Sequence, residues 1–100
     1  MNKNNQQLKL SQWEFPIVSG PHTIQELEKL NMPENDGRVP QVPFGFGNSN
    51  WEEFKSNFKD GDNILGYCSS KKDWNIGMGR EGYILVRNEI IIAEKMTRMN

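Results

Sequence analysis

Apolar residues along this chain recur in short, separated patterns that predict four strands and two helices. Trp13, Phe15 and Ile17 alternate with mainly polar neighbours over residues 12–18, the pattern of a half-buried strand. Pro16 lacks an N–H for a ladder, so an edge strand is expected, ended by Ser19-Gly20-Pro21. Thr23-Ile24-Gln25-Glu26 spells a capping box: the threonine hydroxyl accepts from an early helix N–H and the glutamate reaches back. Ile24, Leu27 and Leu30 then mark one face of a short helix, stopped by Pro33.

Residues 33–50 are broken by Pro33, Gly37, Pro40, Pro43, Gly45 and Gly47, so regular structure is not expected there. Val39, Val42, Phe44 and Phe46 lie within this loop and are expected to hold it against the core. Pro40-Gln41-Val42-Pro43 fits a P-x-x-P ligand spelling, but proline stiffening of a packed loop is the simpler account. Ser49 or Asn50 should cap a second helix, with Glu52 and Glu53 in its first turn, where the dipole favours carboxylates. Trp51, Phe54 and Phe58 form its apolar stripe, and Lys59-Asp60-Gly61 closes it.

Residues 62–69 and 82–87 read as strands joined by a polar loop that carries Trp74 and Met78. Asn88-Glu89 is a two-residue hairpin turn, and residues 90–98 return as a strand. An uninterrupted register from that turn pairs Val86 with Ile91, Leu85 with Ile92, Ile84 with Ala93 and Tyr83 with Glu94. The hairpin is apolar on both faces near the turn, so it should be central to the sheet or covered on both sides. The expected fold is α+β: about four mostly antiparallel strands with two short helices packed on one side, in a single domain over residues 11–100. Residues 1–10, rich in Asn and Gln, are expected to form a flexible arm.

The net charge is −1, without the basic excess of a dedicated nucleic-acid or acidic-membrane binder. The apolar run Ile90-Ile91-Ile92-Ala93 is far short of the roughly 20 residues that span a bilayer. No signal-type apolar segment follows Met1, and Cys68, the only cysteine, has no internal disulfide partner. A cytoplasmic protein is the expectation.

Catalytic spellings are weak. Gly77-Met78-Gly79-Arg80-Glu81-Gly82 has G-x-G-x-x-G lettering but opens a strand, whereas pyrophosphate binding needs it to open a helix. His22 and Cys68 could act together only if the fold brought them together. His22 otherwise reads as a solvated turn residue and Cys68 as a small core residue. A zinc site would need two more carboxylate ligands. Asp60 and Asp62 are accounted for by turn chemistry. No cofactor or catalytic residue is expected, and the chain should act by binding rather than as an enzyme.

The segment 69–82 is the richest in interface chemistry, with Asp73, Trp74 and Arg80 as candidate partner-binding residues. The competing reading folds Trp74 back to cap the sheet, stacked under Arg80. Residues 21–60 carry seven acids (Glu26, Glu28, Glu34, Asp36, Glu52, Glu53, Asp60) and four bases (Lys29, Arg38, Lys55, Lys59). This acidic side suits a basic protein partner, with Glu52 and Glu53 as candidates for steering it.

Trp51-x-x-Phe54, Gly61-Asp62, Trp74, Gly79-Arg80-Glu81-Gly82-Tyr83, Leu85-Val86-Arg87 and Thr97-Arg98-Met99-Asn100 resemble the spelling of a family of short bacterial proteins, over residues 51–100. Small bacterial proteins of this kind include immunity proteins encoded beside secreted toxins, as in contact-dependent growth inhibition. The resemblance implies a cytoplasmic immunity protein that covers the active site of a cognate toxin, and it assigns no catalytic residue. A nuclease toxin would fit, because its basic substrate surface attracts an acidic inhibitor. A small-ligand or scaffold-binding domain is the alternative, and a small enzyme the third reading.

Overall fold

The computed structural model describes residues 7–35 and 37–100. The expected α+β architecture is what it shows. β1 (Ile17–His22), β2 (Asn63–Cys68), β3 (Arg80–Arg87) and β4 (Ile90–Met99) form one sheet in the order β1-β2-β3-β4. Every neighbouring pair is antiparallel. α1 (Ile24–Leu30) and α2 (Asn48–Ser56) connect β1 to β2, and α3 (Lys71–Asn75) lies between β2 and β3.

α1 and α2 cover one face of the sheet. Leu27 of α1 and Trp51 and Phe54 of α2 are buried against Ile64 and Leu85, with Ile24, Phe44, Phe58, Tyr83, Ile92 and Ala93 packed around them. The Phe44 ring packs tilted against Trp51, centroids 4.7 Å apart, so the proline-rich loop does pack on the core. The opposite face buries Tyr67, Ile84 and Val86 under Leu10, Trp13, Phe15, Leu65 and Ile91. The hairpin is therefore covered on both sides, as its two-sided pattern requires.

Several boundaries move. The first strand runs through Ser19-Gly20-Pro21 to His22 instead of ending there. Gly20 makes this possible: its φ is +112°, and a Cβ would lie 2.8 Å from the Ile64 carbonyl oxygen. The strand is irregular but stays on the edge, as Pro16 suggested. The capping box is present, with Thr23 Oγ1 accepting from the Glu26 N–H at 3.0 Å. Leu30, however, is exposed, as is Phe46 in the loop.

α2 begins at Asn48, earlier than expected, on a 3-10 turn over Gly45–Gly47, and no side chain caps it. Glu52 and Glu53 therefore lie beyond its first turn, and the dipole does not account for them. The helix ends at Ser56, so Phe58 packs from the following turn, where Gly61 has φ +93°.

The hairpin turn is as expected, with Asn88 and Glu89 both at positive φ. The register is not. Val86 pairs with Ile91, but a bulge at Ile92 then sets Leu85 opposite Ala93, Ile84 opposite Glu94 and Tyr83 opposite Lys95. Residues 1–6 of the expected arm lie outside the described residues. Its last residues are tied down: the Leu10 N–H donates to the Glu89 carbonyl at 2.8 Å, and the Ile91 N–H to the Leu8 carbonyl at 2.8 Å.

Candidate interaction surface

The segment after β2 is not the irregular loop expected. Ser70 caps α3, its Oγ accepting from the Asp73 N–H at 3.3 Å. Ser70-x-x-Asp73 is a helix-start spelling that the sequence carries. The segment is stitched at both ends. Ser69 Oγ accepts from the Arg80 N–H at 2.9 Å, and Asn100 Oδ1 accepts from the Gly79 N–H at 2.8 Å. Asn100 Nδ2 donates to the Trp74 carbonyl at 2.7 Å.

Trp74 folds back onto Gly79, where a Cβ would sit 2.1 Å from the indole ring. The guanidinium over that ring is Arg98's, 4.3 Å from its centroid, and Arg98 also reaches Glu81 at 3.4 Å. Arg80 instead lies on the opposite face of the sheet, 5.3 Å from the Phe15 ring centroid and 4.0 Å from a Glu94 oxygen. Beneath it Trp13, Phe15 and Tyr67 form a mutually packed aromatic group. The Tyr67 hydroxyl donates to Glu94. Burial, and then this carboxylate, push the phenol well above its usual value, so it remains a donor.

Arg80, Asp73, Phe15, Glu14, Met78 and Met99 share an open groove of about 480 Å³. Met78 is 67% exposed and Met99 60% exposed, and Ile76 at the end of α3 is similarly open. Of the five sequence candidates, this groove unites Asp73 and Arg80. Trp74 is placed behind it as a half-buried cap. Glu52 and Glu53 are on α2. Glu53 lines a separate groove of about 420 Å³ between α2 and β4, with Asn50, Phe54, Asn57 and Lys95. Glu52 pairs with Lys55 at 3.1 Å, which also meets Glu28 at 2.7 Å. Lys55 and the Trp51 N–H together hold the Glu28 carboxyl below its usual range. Sequence reasoning missed the two groove methionines as a pair, since only the fold brings Met99 beside Met78.

His22 and Cys68 are not brought together. His22 pairs with Ile64 and Cys68 lies four residues further along β2, about 13 Å away at strand spacing. His22 is not a solvated turn residue either. Its side chain is 15% exposed at the end of β1, with Nε2 at 2.8 Å from Ser19 Oγ and Nδ1 at 2.9 Å from Glu26 Oε1. Among the described residues no cluster of His, Cys, Asp and Glu could hold a metal ion, and no helix is long and apolar enough to cross a membrane.

Comparison with known proteins finds no matching family model, no matching curated protein and no matching solved structure.

Proposed function

We propose that this chain is a protein-binding module, and that it acts as an immunity protein masking a cognate toxin. The observation that carries the binding reading is the groove in which Arg80 lies over Phe15 between the exposed Met78 and Met99. Exposed large apolar side chains gathered beside a guanidinium suit a partner surface. Methionines adapt their shape to what they meet, and the arginine adds directional donors. The groove is open, which favours a protein protrusion over an enclosed small molecule.

The toxin reading rests on the spelling of residues 51–100 and on the acidic bias of residues 21–60. Glu53 adds to that bias as a carboxylate with no hydrogen bond or ion pair among the described residues. It would draw in a basic nuclease surface without altering the folded core. The test is growth rescue. The reading expects a toxin-like gene immediately upstream; the chain is co-expressed with the product of that gene, and compared with Arg80→Ala and Met78→Asp. Rescue by the parent and its loss in both folded variants is expected. Rescue that survives both substitutions would move the binding face elsewhere, and no rescue by the parent would remove the immunity role.

A further inference from the structure

At the far end of β1 from the groove, Ser19, His22 and Glu26 form a continuous hydrogen-bonded chain. Glu26 Oε1 lies 2.9 Å from His22 Nδ1, and His22 Nε2 lies 2.8 Å from Ser19 Oγ. A carboxylate only accepts, so Nδ1 carries the ring proton and Nε2 of the neutral imidazole is the acceptor. The Ser19 O–H must then donate to Nε2. This is the arrangement of nucleophile, base and orienting acid that activates a serine.

The fold holds each member in place. Glu26 is fixed twice, by the Thr23 N–H at 3.3 Å and by the imidazole. The imidazole, and then the Thr23 N–H, keep its carboxyl below the usual carboxylate range, so it is ionised at neutral pH. The His22 ring stands edge-on to Tyr83 at 5.7 Å, which limits its rotation. Ser19 Oγ rests directly over Gly66, where a Cβ would come within 2.2 Å of it. Only glycine at 66 lets the hydroxyl lie there.

Ser19 itself is exposed and borders a small, largely polar cavity of about 70 Å³ whose lining includes Gly66, Gly82, Tyr83, Thr97 and Glu81. That is more than the ~10–15 Å³ that admits a single water, so a small group such as an acetyl ester has room beside the hydroxyl. A histidine serving only as a structural link would not need an exposed hydroxyl aimed at its free nitrogen beside an open cavity.

We propose that Ser19 is an activated nucleophile and His22 its general base, acting on small carboxylic esters, with Glu26 as a positioning residue. The Ser19 oxygen bonds to the ester carbonyl carbon while its proton passes to His22 Nε2. Collapse of the tetrahedral adduct breaks the ester C–O bond. The alkoxide leaves with the bonding pair and takes the proton from the imidazolium. Water repeats the sequence on the acyl-serine, releasing the acid and restoring the O–H. This activity is independent of the partner groove.

The test uses the full chain with a fluorophosphonate, which gives a stable adduct as the Ser19 O–P bond forms and fluoride departs, the proton going to solvent through His22. Peptide mapping should place the adduct on Ser19 and find none in Ser19→Ala. His22→Gln should slow labelling by about a hundredfold, the size of a general-base contribution. Glu26→Gln keeps the helix cap, which accepts Gln as well as Glu, yet should slow labelling by about tenfold or more. A purely structural Glu26 would leave the rate unchanged. Gly66→Ala should abolish labelling by displacing the hydroxyl, with circular dichroism reporting that each variant is folded. p-Nitrophenyl acetate should be hydrolysed with the same order of sensitivity. An adduct absent from Ser19, or a labelling rate that His22→Gln does not change, would overturn the proposal.

Discussion

Arg87 grips Asp62 with two parallel hydrogen bonds, Nε to Oδ1 at 2.8 Å and Nη2 to Oδ2 at 2.7 Å, and Nη2 also reaches the Asn57 carbonyl at 2.8 Å. One guanidinium thus ties the exit of α2 and the entry of β2 to the end of β3. The Asp62 side chain is almost fully covered while the guanidinium stays partly open to solvent, and this two-bond pairing makes Asp62 more than a turn-former.

The Arg87 guanidinium, helped by the Lys59 N–H, holds the Asp62 carboxyl down at about 2, against its usual 3.8. A lowered acid pKa adds stability that is complete above the unfolded value and is lost as pH falls through the folded one. Asp62→Asn should therefore melt at a lower temperature than the parent at pH 7. The gap should narrow from about pH 4 downwards and close only below about pH 2, once the parent carboxyl is itself protonated. Thermal melts of both proteins across this range check it, and a gap that does not change with pH would deny the ion pair any such role.

Phe54 is 3% exposed, stacked on Trp51 at 5.6 Å and packed in the core beneath α2. Phe54→Ala should cost about 3–5 kcal/mol, a large share of the stability of a domain this small. Urea unfolding measures it. A loss below about 1 kcal/mol would mean that α2 does not anchor the helical layer.

Gly79 supports Trp74 as a surface, not as a hinge. Gly79→Ala would drive a methyl into the indole, dislodging Trp74 and the Arg98 guanidinium stacked over it. The expected cost is about 1–3 kcal/mol of overpacking, read by urea unfolding. Unchanged stability would mean that the indole can move aside freely.

How much of this was legible in the sequence depended on whether a feature is local. The capping box at Thr23 and the turn at Asn88-Glu89 are fixed by adjacent residues, and both are found where their spelling puts them. The bulge at Ile92 is not local. Ile91, Ile92 and Ala93 are all apolar, so a one-residue slip still buries an apolar side chain on either face, and alternation cannot locate the register. Leu30 and Phe46 were expected inside because they are apolar, but a short helix and a glycine-flanked turn leave them no surface to cover. At the candidate groove, the sequence pointed to Arg80 and Asp73. It could not show that Arg98, from β4, takes the place on Trp74 expected of Arg80, because that contact joins segments far apart in the chain.

Lys95 is 6% exposed, with its ammonium 5.4 Å from the Phe44 ring centroid. Burial lowers its pKa from the usual 10.5. The unfolded chain therefore binds more protons between the folded value and 10.5, so this residue makes stability rise as pH climbs through that window. Below the folded value the cost of burying the charge is fully present. Lys95→Met should unfold at a higher urea concentration at pH 7, and its advantage should shrink as pH approaches 10.5. A lower midpoint at pH 7 would mean that attraction to the Phe44 ring outweighs the burial cost.

The partner contacts should separate by kinetics. Arg80 lies over Phe15 in the groove, where a bound protein would desolvate it, so Arg80→Ala should act on dissociation. The loss should be about 2 kcal/mol or more if Arg80 is an anchor. Glu52 already neutralises part of Lys55, whereas Glu53 has no cation of its own among the described residues. Glu53 is thus the better steering charge: Glu53→Gln should slow association and flatten its salt dependence, while Glu52→Gln should do less. Trp74→Ala should disturb folding more than contact, since the indole is spent on Gly79 and Arg98. Association and dissociation rates with the proposed toxin partner, measured for these variants at several salt concentrations, decide the matter. Salt-independent association would remove electrostatic steering from the account. Unchanged dissociation in a folded Arg80→Ala would take the binding face away from the groove.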